Sequence, residues 1–256
     1  MNQRTIRITY IILHALLTVA LIATIIPLLL QQVLPVRSKV PHVDYLVATL
    51  LHLIFSFVGM IPALRLPATG RNEIERDLLP LMYLMISLSD IPVASYVLAY
   101  GFGGMIPLSY IARIYIFAVL FSVMLMLYMG LFHLGINTSK IVSFTIIAVT
   151  GGLLLVSMVP LSVNLHPVDH SRWVADNHFK LLVLLMGLLA IFNYVALAIR
   201  ERTQHMLFRS ISISLIITGN LLYLSRAHAS VIWAGIILFA IGIFIGIPRG
   251  RFSQLQ

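Results

Sequence analysis

The chain has 256 residues, 60% of them hydrophobic and only 10% charged, with a formal net charge of +9 and no cysteine. Soluble domains carry about 25% charged residues, so a water-soluble globule is excluded, and the missing cysteine excludes disulfides, thiol catalysis and cysteine-ligated metals. A basic excess on so apolar a chain points to anchoring against anionic lipid, with no call for nucleic acid.

Eight apolar runs follow one another, near residues 8–30, 45–64, 78–100, 108–131, 141–163, 179–199, 208–225 and 229–247. A membrane helix needs about 20 apolar residues to cross about 30 Å of hydrocarbon. The bilayer core offers no water to unpaired backbone groups, so each run is predicted to be helical. The fold expected is all-α, a polytopic transmembrane helical bundle forming a single domain over residues 1–256. The first run follows Arg4 and Arg7 but exceeds the length of a signal-peptide core. It ends in Leu-Leu-Leu-Gln-Gln without a small-residue cleavage site, so it is expected to be retained. Pro35 and Pro41 mark the first outer loop, Pro67 and Gly70 break the first inner one, and Gly101, Gly103 and Gly104 make a turn after run three. The stretch 71–77 alternates in sign and reads as a solvated helix start. Only Arg226, Ala227 and His228 separate the last two runs. If those runs fused, the count would be seven.

Basic residues orient the chain. Arg4, Arg7, Arg65, Arg71, Arg76, Lys140, Arg200, Arg202, Arg209, Arg249 and Arg251 fall on one side; Arg37, Lys39, Arg172, Lys180 and Arg226 fall on the other. The positive-inside rule then predicts both termini inside.

Asp90 is the unusual residue, an acid near the middle of run three. A lone carboxylate there costs several kcal/mol unless neutral or paired. Measured along the hairpin of runs three and four, Arg113 lies about 6 Å from its level, so an ion pair of Asp90 with Arg113 is expected. Packing alone would also explain such a pair. Ser87, Ser89, Ser95, Tyr96, Tyr110, Tyr115, His52 and Ser56 lie near the same depth, and Asn220, Tyr223 and Arg226 add to them from run seven. Asp90, Arg113, His52, Tyr96, Asn220, Tyr223 and Arg226 are the candidate ligand-binding residues of a cavity open to the outside. Single serines and asparagines equally serve as glue between membrane helices.

The fifth connection, 164–178, concentrates His166, Asp169, His170, Asp176 and His178. Imidazole and carboxylate suit zinc, copper or nickel, so His166, Asp169, His170 and His178 are candidate ligands of a divalent metal. The same histidines suit pH sensing, and Trp173 suits an interfacial anchor. Pro167 between His166 and His170 argues against a regular helical His-x3-His face. His14, His42, His133, His205 and His228 fall at different depths and supply no haem pair. Enzyme motifs are absent: there is no Gly-x-Ser-x-Gly, His-Glu-x-x-His, phosphate loop or dinucleotide fingerprint. Gly151, Gly152 and Gly187 suit close helix packing.

Asn164-Leu-His166-Pro with Trp173, the helix and basic inner loop of 178–209, and Gly219-Asn220-Leu-Leu-Tyr223 together resemble the seven-helix membrane sensor region at the N-terminus of many bacterial histidine kinases and diguanylate cyclases. The loop order differs from that region's Asn-Pro-x-His. The resemblance implies a sensor in a bacterial plasma (inner) membrane. With no kinase or cyclase after Arg251, the resemblance implies a sensor without its own output domain, or a truncated one, whose output is expected to pass through a cytoplasmic or membrane partner; a homo-oligomer is left open. The leading expectation is a sensor or receptor-like module for a small ligand, ion or proton. Its rivals are a small-molecule transporter, for which Pro92 and Pro160 would be helix breaks, and a lipid-modifying enzyme. Asp90 and His52 in hydrogen-bond reach without an arginine would favour the enzyme.

Overall fold

The computed structural model describes residues 3–33, 43–64, 72–95, 108–135, 141–161, 177–225 and 228–246. Among these residues there are eight helices: α1 (Gln3–Val33), α2 (Val43–Leu64), α3 (Asn72–Leu88), α4 (Leu108–His133), α5 (Ile141–Met158), α6 (Asn177–Glu201), α7 (Gln204–Ser225) and α8 (Ala229–Gly246). Seven of them, α3 counted with its continuation to Ser95, are long and apolar enough to cross a membrane. The chain is therefore an all-α, multi-pass bundle. The shorter candidate is α5, whose apolar stretch runs over Ser143–Met158, and the last two runs are separate helices.

Neighbour packing closes a ring in the order α2, α3, α4, α6, α7, α8 and back to α2, with α1 against α2 and α3 and α5 against α4. The ring places α3 and α7 on opposite sides of a shared interior. Leu125 and Met126 of α4, Ile86 of α3 and Tyr194 of α6 are completely buried, while Leu16 and Val19 of α1, Leu154 and Met158 of α5 and Phe192 of α6 are exposed. Large apolar side chains on the outside suit lipid tails, which satisfy them as well as a protein core does.

The seam of α7 and α8 is the closest. A Cβ on Gly219 would lie 2.7 Å from the Gly235 carbonyl oxygen, and one on Gly235 would lie 2.7 Å from that of Gly219. Small residues let the two backbones approach this far. Gly242 meets Ser212 and Ile216 in the same antiparallel register. Of the glycines expected to permit packing, Gly187 lies against Leu221 and Gly152 against Phe117, whereas Gly151 faces open space.

α3 departs most from expectation. It begins at Asn72, well before residue 78, and its regular hydrogen bonding stops at Leu88. Through the turn the amides of Asp90 and Ile91 bond to the carbonyls of Ser87 and Leu88, three residues back, before one more helical turn over 92–95. Pro92 has no N–H to give the Leu88 carbonyl, and the Ile91 amide takes its place. Asp90 sits inside this break. Pro160 likewise follows the end of α5.

Candidate functional site

Asp90 is completely buried, as is His52 of α2. Its Oδ2 lies 2.8 Å from His52 Nδ1, and its Oδ1 accepts from Tyr223 Oη of α7 at 2.6 Å. Thr49, one turn before His52, lies 2.9 Å from the Tyr223 hydroxyl and donates to the Tyr45 carbonyl. The imidazole is stacked on the Tyr223 ring, centroids 4.1 Å apart, and meets Phe239 of α8 at 4.7 Å. With Nδ1–H donating to the carboxylate, Nε2 is left as an acceptor, and it is buried with no partner among the described residues. Asn220, three residues before Tyr223, is buried too, and its Oδ1 is likewise without a partner.

The expected pairing of Asp90 with Arg113 is not formed. Arg113 donates to the carbonyls of Val156 and Val159, the latter at 2.9 Å, and so caps the C-terminal end of α5. The two residues share a depth but not a direction: Arg113 turns toward α5, and His52 and Tyr223 already occupy both oxygens of Asp90. Tyr110 also leaves the expected lining, being 63% exposed. Ser89 and Ser95 bond to carbonyls of their own turns, and Ser56 to the Tyr83 carbonyl. Of the three, Ser56 joins two helices, α2 and α3. Tyr96, Arg226, His166, Asp169 and His170 lie outside the described residues. His178 is exposed at the start of α6, and among the described residues no three His, Asp or Glu side chains converge as a metal site.

A second buried node lies at the other end of α3. Glu75 is bonded through Oε1 to His133 Nε2 of α4 at 2.8 Å and through Oε2 to Arg209 of α7. The sequence made 71–77 a solvated helix start and Arg209 part of a basic inner anchor. The structure corrects both, because α3 starts early enough to carry Glu75 into the ring. Arg76 is buried as well, beside Asp77. A third histidine, His14 of α1, meets Ser87 of α3 at 2.6 Å and Met60 of α2 at 3.1 Å. Thus three neighbouring helices each present a buried histidine to α3 or its continuation.

The chain matches no protein-family model, no curated protein and no solved structure. Its chemistry therefore rests on the node itself. A carboxylate fixing one imidazole nitrogen and leaving the other bare is an arrangement that accepts a proton or donates one onward. Among the described residues no arginine shares it. Among the side chains bonded or stacked there, the hydroxyls of Thr49 and Tyr223 are the nucleophile types present, and both are engaged in hydrogen bonds.

Proposed function

We propose that this chain is a sensor or receptor-like membrane module, in which the node of Asp90, His52 and Tyr223 detects a small ligand, ion or proton and the inner ends of the helices report it. The observation that carries this reading is the double tie across the ring. α3 and its continuation are joined to α7 at one end through Asp90 and Tyr223 and at the other through Glu75 and Arg209. A change of bonding at the first tie bears on both helices that form the second, and so shifts the balance between helix arrangements.

Two further observations support a sensor over a transporter. Asp90 and His52 are wholly enclosed, which favours a ligand of atomic size. Leu78, Met82 and Ile86 of α3 and Leu125, Met126 and Met129 of α4 belong to the apolar core between the two nodes, whereas a carrier needs polar groups reachable from both sides. The resemblance of 164–223 to bacterial sensor regions supports a plasma-membrane location and output through a partner protein.

One observation favours a second reading, an enzyme acting on a membrane lipid: Asp90 and His52 are in hydrogen-bond reach, with no arginine among the described residues bonded to either. Against it, the imidazole is covered by Tyr223 and Phe239, and a lipid substrate needs an opening beside the pair.

The absence of native cysteine makes the test direct. Spin labels at Asp77→Cys and Leu207→Cys, both on exposed positions near the inner node, report the separation of α3 and α7 in nanodiscs. Asp90→Asn and Tyr223→Phe are each expected to change that separation, and Tyr110→Phe to leave it as it is. An unchanged distance in folded Asp90→Asn and Tyr223→Phe proteins would overturn the reading.

A further inference from the structure

We propose that the ligand of this site is a proton, bound at His52 Nε2 and held there by Asn220 Oδ1. The inference rests on the sensor reading of the same node and names what it detects.

Charge comes first. An ionised Asp90 beside a neutral His52 leaves one uncompensated negative charge in a span, a costly state. A single proton on the imidazole turns the pair into a neutral ion pair. The second consideration is position. Both oxygens of Asp90 already accept hydrogen bonds, one from His52 and one from Tyr223. Protonating the carboxylate would require one of these bonds to reverse. Nε2 carries a lone pair that no described group uses, so a proton bound there disturbs none of the existing bonds. The groups facing His52 are Asp90 from the continuation of α3 and Tyr223 from α7. From α8, among the described residues, it meets the ring of Phe239.

The second unpartnered atom completes the site. Asn220 stands one helical turn from Tyr223, about 4.5 Å along the axis, and Tyr223 is stacked on the imidazole. Asn220 Oδ1 is a buried acceptor without a donor among the described residues, and Nε2 becomes a donor once it is protonated. The Nε2–H bond forms with a proton from the aqueous phase, and no other bond is made or broken. The new hydrogen bond ties α2 to α7 one turn further from the end of that helix than Tyr223 does. Asn220 and Tyr223 both lie on the helix that carries Arg209 of the second node. No cavity is required, which suits a site with both Asp90 and His52 fully enclosed.

The experiment is a pH titration of uniformly 15N-labelled protein in nanodiscs, with the His52 ring assigned through its backbone connectivities. Acidification is expected to convert Nε2 from the bare, pyridine-type shift to the protonated, pyrrole-type one while Nδ1 stays protonated. In Asn220→Leu the same conversion should need about tenfold more protons, the loss of a charge-assisted bond. A ring that stays bare at Nε2 throughout, or an infrared carboxylic-acid band that grows on acidification and is missing in Asp90→Asn, overturns the proposal. So does an Asn220→Leu titration that matches the wild type. The wild-type titration decides the binding atom even if Asn220→Leu does not fold. Should Nε2 take up its proton while the labels at Asp77→Cys and Leu207→Cys stay still, the sensor reading fails and the proton site stands.

Discussion

Asp90 and Glu75 lie about four helical turns apart, roughly 22 Å, and each is bonded to the same distant helix, Asp90 to Tyr223 and Glu75 to Arg209. α3 and α7 are not packing neighbours along their length. They are bonded to each other through these side chains across the ring interior. His52 and His133 fill the two remaining acceptor positions, so each carboxylate binds three helices together. Such ties are costly to bury, and they confer direction: a carboxylate whose partners change moves helices, where an apolar contact would merely slide.

The bond of Tyr223 to Asp90 should be measurable as a coupling energy. Asp90→Asn, Tyr223→Phe and the double variant form a cycle in which each single change keeps the side chain's shape. Hydrogen bonds between membrane helices couple by about 0.6 kcal/mol on average and up to about 1.7; with a buried carboxylate as acceptor the value here is expected near the top of that range. Denaturant unfolding in mixed micelles measures it. Additive single effects would mean that the hydroxyl and carboxylate do not meet.

Arg113 should behave as a stranger to Asp90. Its guanidinium caps α5 through the Val156 and Val159 carbonyls, so Arg113→Gln should cost about 1 kcal/mol by freeing buried acceptors. Combined with Asp90→Asn, the two losses should add within about 0.5 kcal/mol. A coupling well above that in the same unfolding assay would restore the ion pair.

These two residues show what the sequence could carry. Helix positions were legible because lipid leaves no choice: an apolar run of span length must be helical, and the observed helices match the runs closely. Asp90 was legible because a charge in hydrocarbon needs a reason. Its partner was misread because run lengths give depth, whereas rotation about the helix axis decides which side chains meet. Part of the answer was on α2, where Tyr45, Thr49, His52 and Ser56 recur at steps of four, three and four and make one polar face. Thr49 and His52 both turned out to be in the node. Glu75 was hidden differently. The alternating signs of 71–77 look like solvated chain, and only the early start of α3 and the arrival of Arg209 and His133 from elsewhere make burial affordable. Gly219 and Asn220 also sit side by side in one short motif and differ in kind, the first letting α8 approach, the second a buried amide whose Oδ1 has no partner among the described residues.

The hairpin of α7 and α8 should tolerate no side chain at its seam. Gly219→Ala and Gly235→Ala each press a methyl group against backbone atoms of the facing helix, and overpacking of this kind costs about 1–3 kcal/mol. Gly151→Ala, with nothing within 4 Å of the new Cβ, should instead gain about 0.5–1 kcal/mol from helix propensity. Thermal unfolding in one detergent compares the three. Equal effects at Gly151 and Gly219 would contradict the seam.

The Glu75 node tests whether its charges matter singly or together. Glu75→Leu takes the Glu75 carboxylate away from Arg209, whose side chain is only 14% exposed, and from His133. Removing one partner of a buried pair costs about 3 kcal/mol or more, whereas replacing both by apolar groups is often close to neutral. Arg209→Met alone should be damaging for the mirror reason, since Glu75 then keeps its charge with only His133 beside it. The double variant Glu75→Leu with Arg209→Met is therefore expected to unfold at higher denaturant than either single variant. If instead the double variant is as unstable as the sum of the two losses, the residues do not form a pair. Stability regained in the double variant would still leave the second tie between α3 and α7 broken: the labels at Asp77→Cys and Leu207→Cys should then no longer follow Tyr223→Phe.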